Sequence, residues 1–128
     1  MPYTDWRWVP RLLRAAAWFL SSLTTFNIFV NLQQLQDIIR NTYDAKDRRR
    51  GVEGTFMWFM EEVGELSAAL RSGSDAECAA EFADVLAWLA TLANIAGVDL
   101  TAAVQAKYGS GCPGCHQSPC VCDQTEKP

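Results

Sequence analysis

The chain has 128 residues, about half of them apolar, which is enough for one domain with a modest core. Its formal charge of -4 and isoelectric point near 4.9 give no general attraction to nucleic acid or to an anionic membrane. Neither is an expected partner, and a phosphate-bearing ligand would have to be held locally. Four of the five cysteines fall between positions 112 and 122, a distribution unlike a disulfide framework and in keeping with a reducing cytoplasm.

Residues 1–29 read as an N-terminal extension. Arg7, Arg11 and Arg14 precede the apolar run from Ala15 to Leu23, like the front half of a secretory signal. Ser21, Ser22, Thr24, Thr25 and Asn27 interrupt that run before it reaches the roughly 20 apolar residues that span a bilayer. A compact domain starts at Val30-Asn31-Leu32-Gln33, and a valine codon can initiate translation in bacteria, so the extension also reads as an over-extended gene start.

Asn31 with Gln34 is a capping-box pair that opens a first helix through Leu32, Leu35, Ile38, Ile39 and Tyr43, predicted to end near Lys46. The polar stretch from Asp47 to Gly54 carries two glycines and predicts a loop, after which Thr55 caps a second helix to about Arg71. Ser72-Gly73 supplies a stop, and Ser74 with Glu77 a second capping box for a third helix that ends before Gly97. Asp99 caps a short fourth helix closing at Tyr108-Gly109. Four helices, short loops and no plausible strand predict an all-α helical-hairpin bundle over residues 30–109, followed by a cysteine-rich tail over 110–128.

Two acidic clusters lie inside the apolar helices. Glu62 and Glu65 share a helix face, as do Glu81 and Asp84, each pair three residues apart. At about 100° per residue, Phe59, Val63, Leu66 and Leu70 form an apolar stripe roughly 40° to 100° from Glu62, with Glu65 near -60° and Glu61 near -100°. On the third helix Val85, Leu89, Leu92 and Phe82 stand in the same relation to Glu81, with Asp84 near -60°. Packed antiparallel about these stripes, the two helices would bring both carboxylate pairs to one edge.

A solvated acidic face usually places Lys or Arg one helical turn away. Here Trp58, Ala69 and Trp88 occupy those positions, so no intrahelical cation neutralises the acids. Hard oxygen donors at this density suit Mg²⁺, with Mn²⁺ as a substitute, and such sites commonly complete their coordination with water and substrate phosphates. A di-iron carboxylate bundle would need Glu-x-x-His pairs, and the single histidine, His116, lies in the tail.

Glu61-Glu62-x-x-Glu65 followed by Glu81-x-x-Asp84 resembles the signature of the MazG family of all-α nucleoside triphosphate pyrophosphohydrolases, across roughly Val30 to Tyr108. The resemblance implies Mg²⁺-dependent cleavage of a nucleoside triphosphate between its α and β phosphates, with removal of non-canonical nucleotides as the physiological expectation. Glu62, Glu65, Glu81 and Asp84 would then be the metal ligands, and Glu61 the candidate to orient or deprotonate the attacking water. Lys46, Arg49 and Lys107 are candidates for phosphate contacts, alongside the neighbouring Arg48 and Arg50. Trp58 and Trp88 are candidates for stacking on the base, with core or interface packing as their alternative use. The helices expose more apolar surface than one hairpin pair can cover, so a homodimer or homotetramer is expected. The rival from another class is a non-catalytic helical interaction module.

In the tail, Cys112-Pro113-Gly114-Cys115 and Cys120-Val121-Cys122 offer four thiolates. Structural Zn²⁺, a redox-labile or disordered tail, and an iron-sulfur cluster are the three readings, with His116 as a substitute ligand for zinc.

Overall fold

The structure, a computed structural model, describes residues 29–123. All but the last residue of the N-terminal extension lies outside that range. Three helices and no strand occur among the described residues: α1 (Leu32–Ser72), α2 (Asp75–Ala96) and α3 (Leu100–Tyr108). The all-α class therefore holds.

The helix ends follow the local sequence signals. The Asn31 side chain accepts from the Gln34 N–H at 2.9 Å and the Gln34 side chain accepts from the Asn31 N–H at 3.0 Å, closing the first capping box. Ser74 and Glu77 repeat the device at the start of α2. Asp99 caps α3 by accepting from the Ala102 N–H at 2.9 Å. At the other end of α2, Gly97 takes the left-handed conformation with φ 69°, and the Val98 N–H returns to the Ala93 carbonyl at 2.8 Å.

The predicted loop over 47–54 is a difference. Helix runs through it, broken at the single residue Gly51, whose φ of 76° and ψ of 179° lie outside the helical region. That backbone region is accessible essentially to glycine alone. Charges that suggest a loop instead support the helical turns on its N-terminal side, where Arg48 pairs with Asp44 at 2.8 Å and Arg50 with Asp47 at 3.1 Å, at spacings of four and three residues. Thr55 consequently does not cap a helix. It lies within α1, fully buried, and its hydroxyl has no hydrogen-bond partner.

α1 and α2 pack antiparallel around the turn at Gly73-Ser74. Near the turn the Cys78 thiol donates to the Ala69 carbonyl at 3.1 Å, further along Trp88 meets Glu62, and at the far end Asn94 meets Gln36. Gln36 is a buried clamp. Its amide donates to Asn94 Oδ1 at 3.1 Å and to the Val98 carbonyl at 2.8 Å, while its Oε1 accepts from the Leu100 N–H at 2.9 Å. One side chain thus ties α1 to the end of α2 and the start of α3, with its polar groups satisfied.

The apolar core is small. Ile39, Ala90 and Ala93 are the buried hydrophobic residues among those described. The stripes expected to seal the hairpin are only partly covered, because Leu70, Phe82 and Leu89 remain 61%, 54% and 41% exposed.

The Gly51 break yields a paired prediction. Gly51→Ala should destabilise the fold by about 1–3 kcal/mol through its backbone conformation alone. Gly64→Ala, at a helical position where an added Cβ meets nothing within 4 Å, should stabilise it by about 0.5–1 kcal/mol. Urea denaturation followed by circular dichroism measures both, and an unchanged Gly51→Ala midpoint would refute the conformational requirement.

Candidate metal centre

The hairpin register decides which acids meet. Glu62 lies on the arm of α1 that follows Gly51, and Glu81 and Asp84 lie one turn apart on α2. One carboxylate oxygen from each of the three falls within 4.8 Å of the others. All three residues are half-buried. Glu65 is exposed and outside this trio, yet its charge acts on every member of it. Glu61, next to Glu62, is exposed and also outside the trio.

The electrostatics are those of an uncompensated site. Burial raises the Glu62 carboxyl to about 7, helped by the charges of Asp84, Glu65 and Glu81, and opposed by a hydrogen bond from Trp88. Burial also raises Glu81, with Glu65, Asp84 and Glu77 adding to it, and raises Asp84, with Glu65 adding. Oε2 of Glu81 is buried and has no hydrogen-bond partner. An orphaned carboxylate oxygen beside two further carboxylates is a donor set of hard ligands facing inward, and it fits a small divalent cation such as Mg²⁺ or Mn²⁺.

Trp88 positions the first of these carboxylates. Its indole N–H donates to Glu62 Oε1 at 3.0 Å. The ring stacks on Trp58, centroids 6.0 Å apart and planes 9° from parallel, and the Arg50 guanidinium lies 4.9 Å from its centroid. Arg50 is in turn held by Asp47, a buried carboxylate whose proton affinity rises through burial and is brought back down in part by that arginine. Asp47, Arg50, Trp88 and Glu62 thus form a chain of contacts from the α1 break to the acidic cluster.

The other expected site residues separate into groups. Trp88 is engaged by Glu62, Trp58 and Arg50, whereas Trp58 keeps 37% of its surface exposed. Lys46 and Arg49 are exposed on the turns before Gly51. Lys107 is exposed at the end of α3, its ammonium 5.4 Å from the Tyr108 ring. Cys112, Cys115, Cys120 and Cys122 converge on one another after α3 and not on the acids. A cavity of about 190 Å³ lined by Gln33, Gln36, Arg40, Asn94 and Asp99, among others, includes none of the clustered acids in its walls. Asp47 supports the site without being marked out by local sequence signals. Its three-residue spacing to Arg50 is the available signal, obscured because the glycines of the segment predict a loop.

The family model for the MazG nucleotide pyrophosphohydrolase domain matches residues 50–116, just over half of the chain. That span starts at Arg50 and includes every clustered acid. No curated protein matches the chain significantly.

The raised carboxyl of Glu62 sets a pH dependence whose sign follows from linkage. Its ordinary value is 4.5 and its folded value about 7, so between these the folded chain binds more protons than the unfolded one. The contribution is therefore fully present below about pH 4.5, declines as pH rises, and levels off above about 7. With divalent cations chelated, Glu62→Gln should remove part of the loss in thermal midpoint between about pH 5 and about pH 8. A variant whose midpoint falls as steeply as that of the parent chain over this range would rule the assignment out.

Proposed function

The chain belongs to the MazG nucleotide pyrophosphohydrolase family, and on that premise we propose that it hydrolyses a nucleoside or deoxynucleoside triphosphate between the α and β phosphates, releasing the monophosphate and pyrophosphate. The observation that carries this reading is the convergence of Glu62, Glu81 and Asp84 around an unpartnered Glu81 oxygen. These three residues, joined by Glu65, would hold Mg²⁺, with Mn²⁺ as a substitute. When bound, the cation supplies neutralisation of phosphate oxygens as negative charge develops on the leaving pyrophosphate.

The protein's own groups do the rest. Trp88 fixes the Glu62 carboxylate through its indole N–H, which costs no reorganisation when substrate arrives. Glu61, exposed beside Glu62, orients or deprotonates the attacking water. Lys46, Arg49 and Lys107 contact phosphate charge beyond the reach of the carboxylate cluster. Trp58, the more open of the stacked pair, offers its ring to the nucleobase.

The catalytic domain on this reading spans residues 30–109 and works in the cytoplasm as a homodimer or homotetramer. Phe56, Met57, Met60, Phe82, Leu86 and Leu89 are exposed apolar residues on α1 and α2, and burying them between copies supports that assembly. α2 has the length and a mean hydropathy of 1.3 found in membrane spans, but Glu81 and Asp84 lie on it against Glu62, which supports a hairpin packed in water. Removal of non-canonical nucleotides is the physiological role we assign.

The test is pyrophosphate release from a panel of canonical and modified triphosphates, with and without Mg²⁺. Glu81→Gln should lower release by at least ~100-fold, and Trp88→Phe should weaken Mg²⁺ binding by roughly 10- to 100-fold, the range for loss of a group that orients a metal ligand. Glu61→Gln should lower turnover while leaving metal affinity unchanged. Folded protein that releases no pyrophosphate from any member of the panel would instead support a non-catalytic helical module.

A further inference from the structure

Between Gly111 and Asp123 the chain forms neither helix nor strand. Ordering a residue's backbone costs about 1–2 kcal/mol, and a segment without a core has little to offset that cost. This one has no apolar core, since Val121 is 63% exposed and the residues from His116 to Val121 are all exposed. It is nevertheless folded back on itself. The His116 N–H donates to the Cys112 carbonyl at 2.7 Å, and the Cys112 N–H donates to the Gln117 carbonyl at 3.1 Å. Gly111, at φ 102°, starts the reversal, and a side chain there would meet the Gln117 backbone at 3.0 Å.

What the reversal brings together is sulfur. The Sγ atoms of Cys112, Cys115, Cys120 and Cys122 all lie within 4.8 Å of one another. The Cys112 to Cys120 separation is 3.4 Å, Cys112 to Cys122 is 3.7 Å, and Cys115 to Cys120 is 3.8 Å. A tetrahedron of sulfurs at the Zn–S distance of about 2.3 Å has edges of about 3.8 Å. These separations match that edge to within a few tenths of an ångström. Backbone N–H groups point at the sulfurs, from Gly114 to Cys112 at 3.4 Å and from Cys122 to Cys120 at 3.4 Å, and such donors favour the thiolate form that binds metal. All four cysteines are free thiols.

We infer that Cys112, Cys115, Cys120 and Cys122 form a closed, structural, mononuclear Zn²⁺ site that folds the segment after α3 and is separate from the carboxylate centre. His116 is not needed as a ligand, because four sulfurs already complete a tetrahedron and its Nδ1 faces the Ser110 hydroxyl at 3.4 Å. A cluster of several irons would have to sit among the thiolates with different irons bound to different sulfurs, spreading them further than the ligands of a single ion. The soft thiolate donors here and the hard carboxylates of the hairpin select different metals, so the two sites need not compete.

The experiment uses the full chain, expressed in zinc-supplemented medium, purified without chelator and passed through a desalting column. Elemental analysis by mass spectrometry should find one zinc per chain, and a chain reconstituted with Co²⁺ should show the visible absorption of a tetrahedral tetrathiolate site. The Cys115→Ser/Cys120→Ser variant should lose the zinc and the cobalt spectrum while keeping its helical circular dichroism, because α1 to α3 do not include these residues. A chain that carries no metal, one that carries iron in place of zinc, or one whose intact mass reveals disulfides between these cysteines would overturn the inference. So would a variant that retains zinc. None of these readouts depends on triphosphate hydrolysis.

Discussion

The contact between Arg50 and Trp88 depends on one residue that leaves the helix. Gly51 breaks α1 after two turns rich in paired charge, and Arg50, immediately before the break, lies over the indole whose N–H holds Glu62. An unbroken helix would carry Arg50 and Glu62 along one straight axis about 18 Å apart, at about 1.5 Å per residue. Bridged instead through α2, the two ends of that interval act on a single ring. Asp47, buried against Arg50, fixes the guanidinium and keeps the cation on the ring instead of in solvent.

The carboxylates show what this support is for. Two full charges no more than 4.8 Å apart repel by at least about 3 kcal/mol at an effective dielectric of about 20. A hydrogen bond to a charged group contributes about 1.5–3 kcal/mol. One indole donor cannot offset repulsion among three acids, so the trio must take up either a proton or a cation. Burial and mutual repulsion raise the proton affinity of all three acids, that of Glu62 to about 7. On the proposed metal-dependent function, such repulsion trades fold stability for cation affinity, and the unpartnered Glu81 oxygen has the same character.

Much of this was legible in the sequence, for identifiable reasons. Asn31/Gln34, Ser74/Glu77 and Asp99 act through hydrogen bonds within three residues of themselves, and such signals survive without tertiary information. The Glu62 and Glu81/Asp84 convergence was legible because helical spacing and hairpin pairing are both periodic. The 47–54 segment was not, since its glycines suggest a loop and only the structure reveals that a single glycine takes the whole bend while Gly54 stays helical. The hydrogen bond between Trp88 and Glu62 likewise depends on register across the hairpin, 26 residues apart, which no local pattern encodes.

The small core bears on how these parts hold together. Ile39, Ala90 and Ala93 bury little area, and Gln36 and Thr55, the largest fully buried side chains among the described residues, are polar. Gln36 has its hydrogen bonds, but the Thr55 hydroxyl has none, and a buried group left unsatisfied costs about 1–3 kcal/mol. A chain with that balance gains stability by binding. Two features of the hairpin are left uncompensated, the clustered carboxylates and the exposed apolar residues, and the proposed cation and second copy of the chain would each offset one of them. On the metal-dependent, homo-oligomeric function proposed above, stability and assembly form one linked equilibrium, because covering the exposed apolar residues and neutralising the acids both favour the folded hairpin.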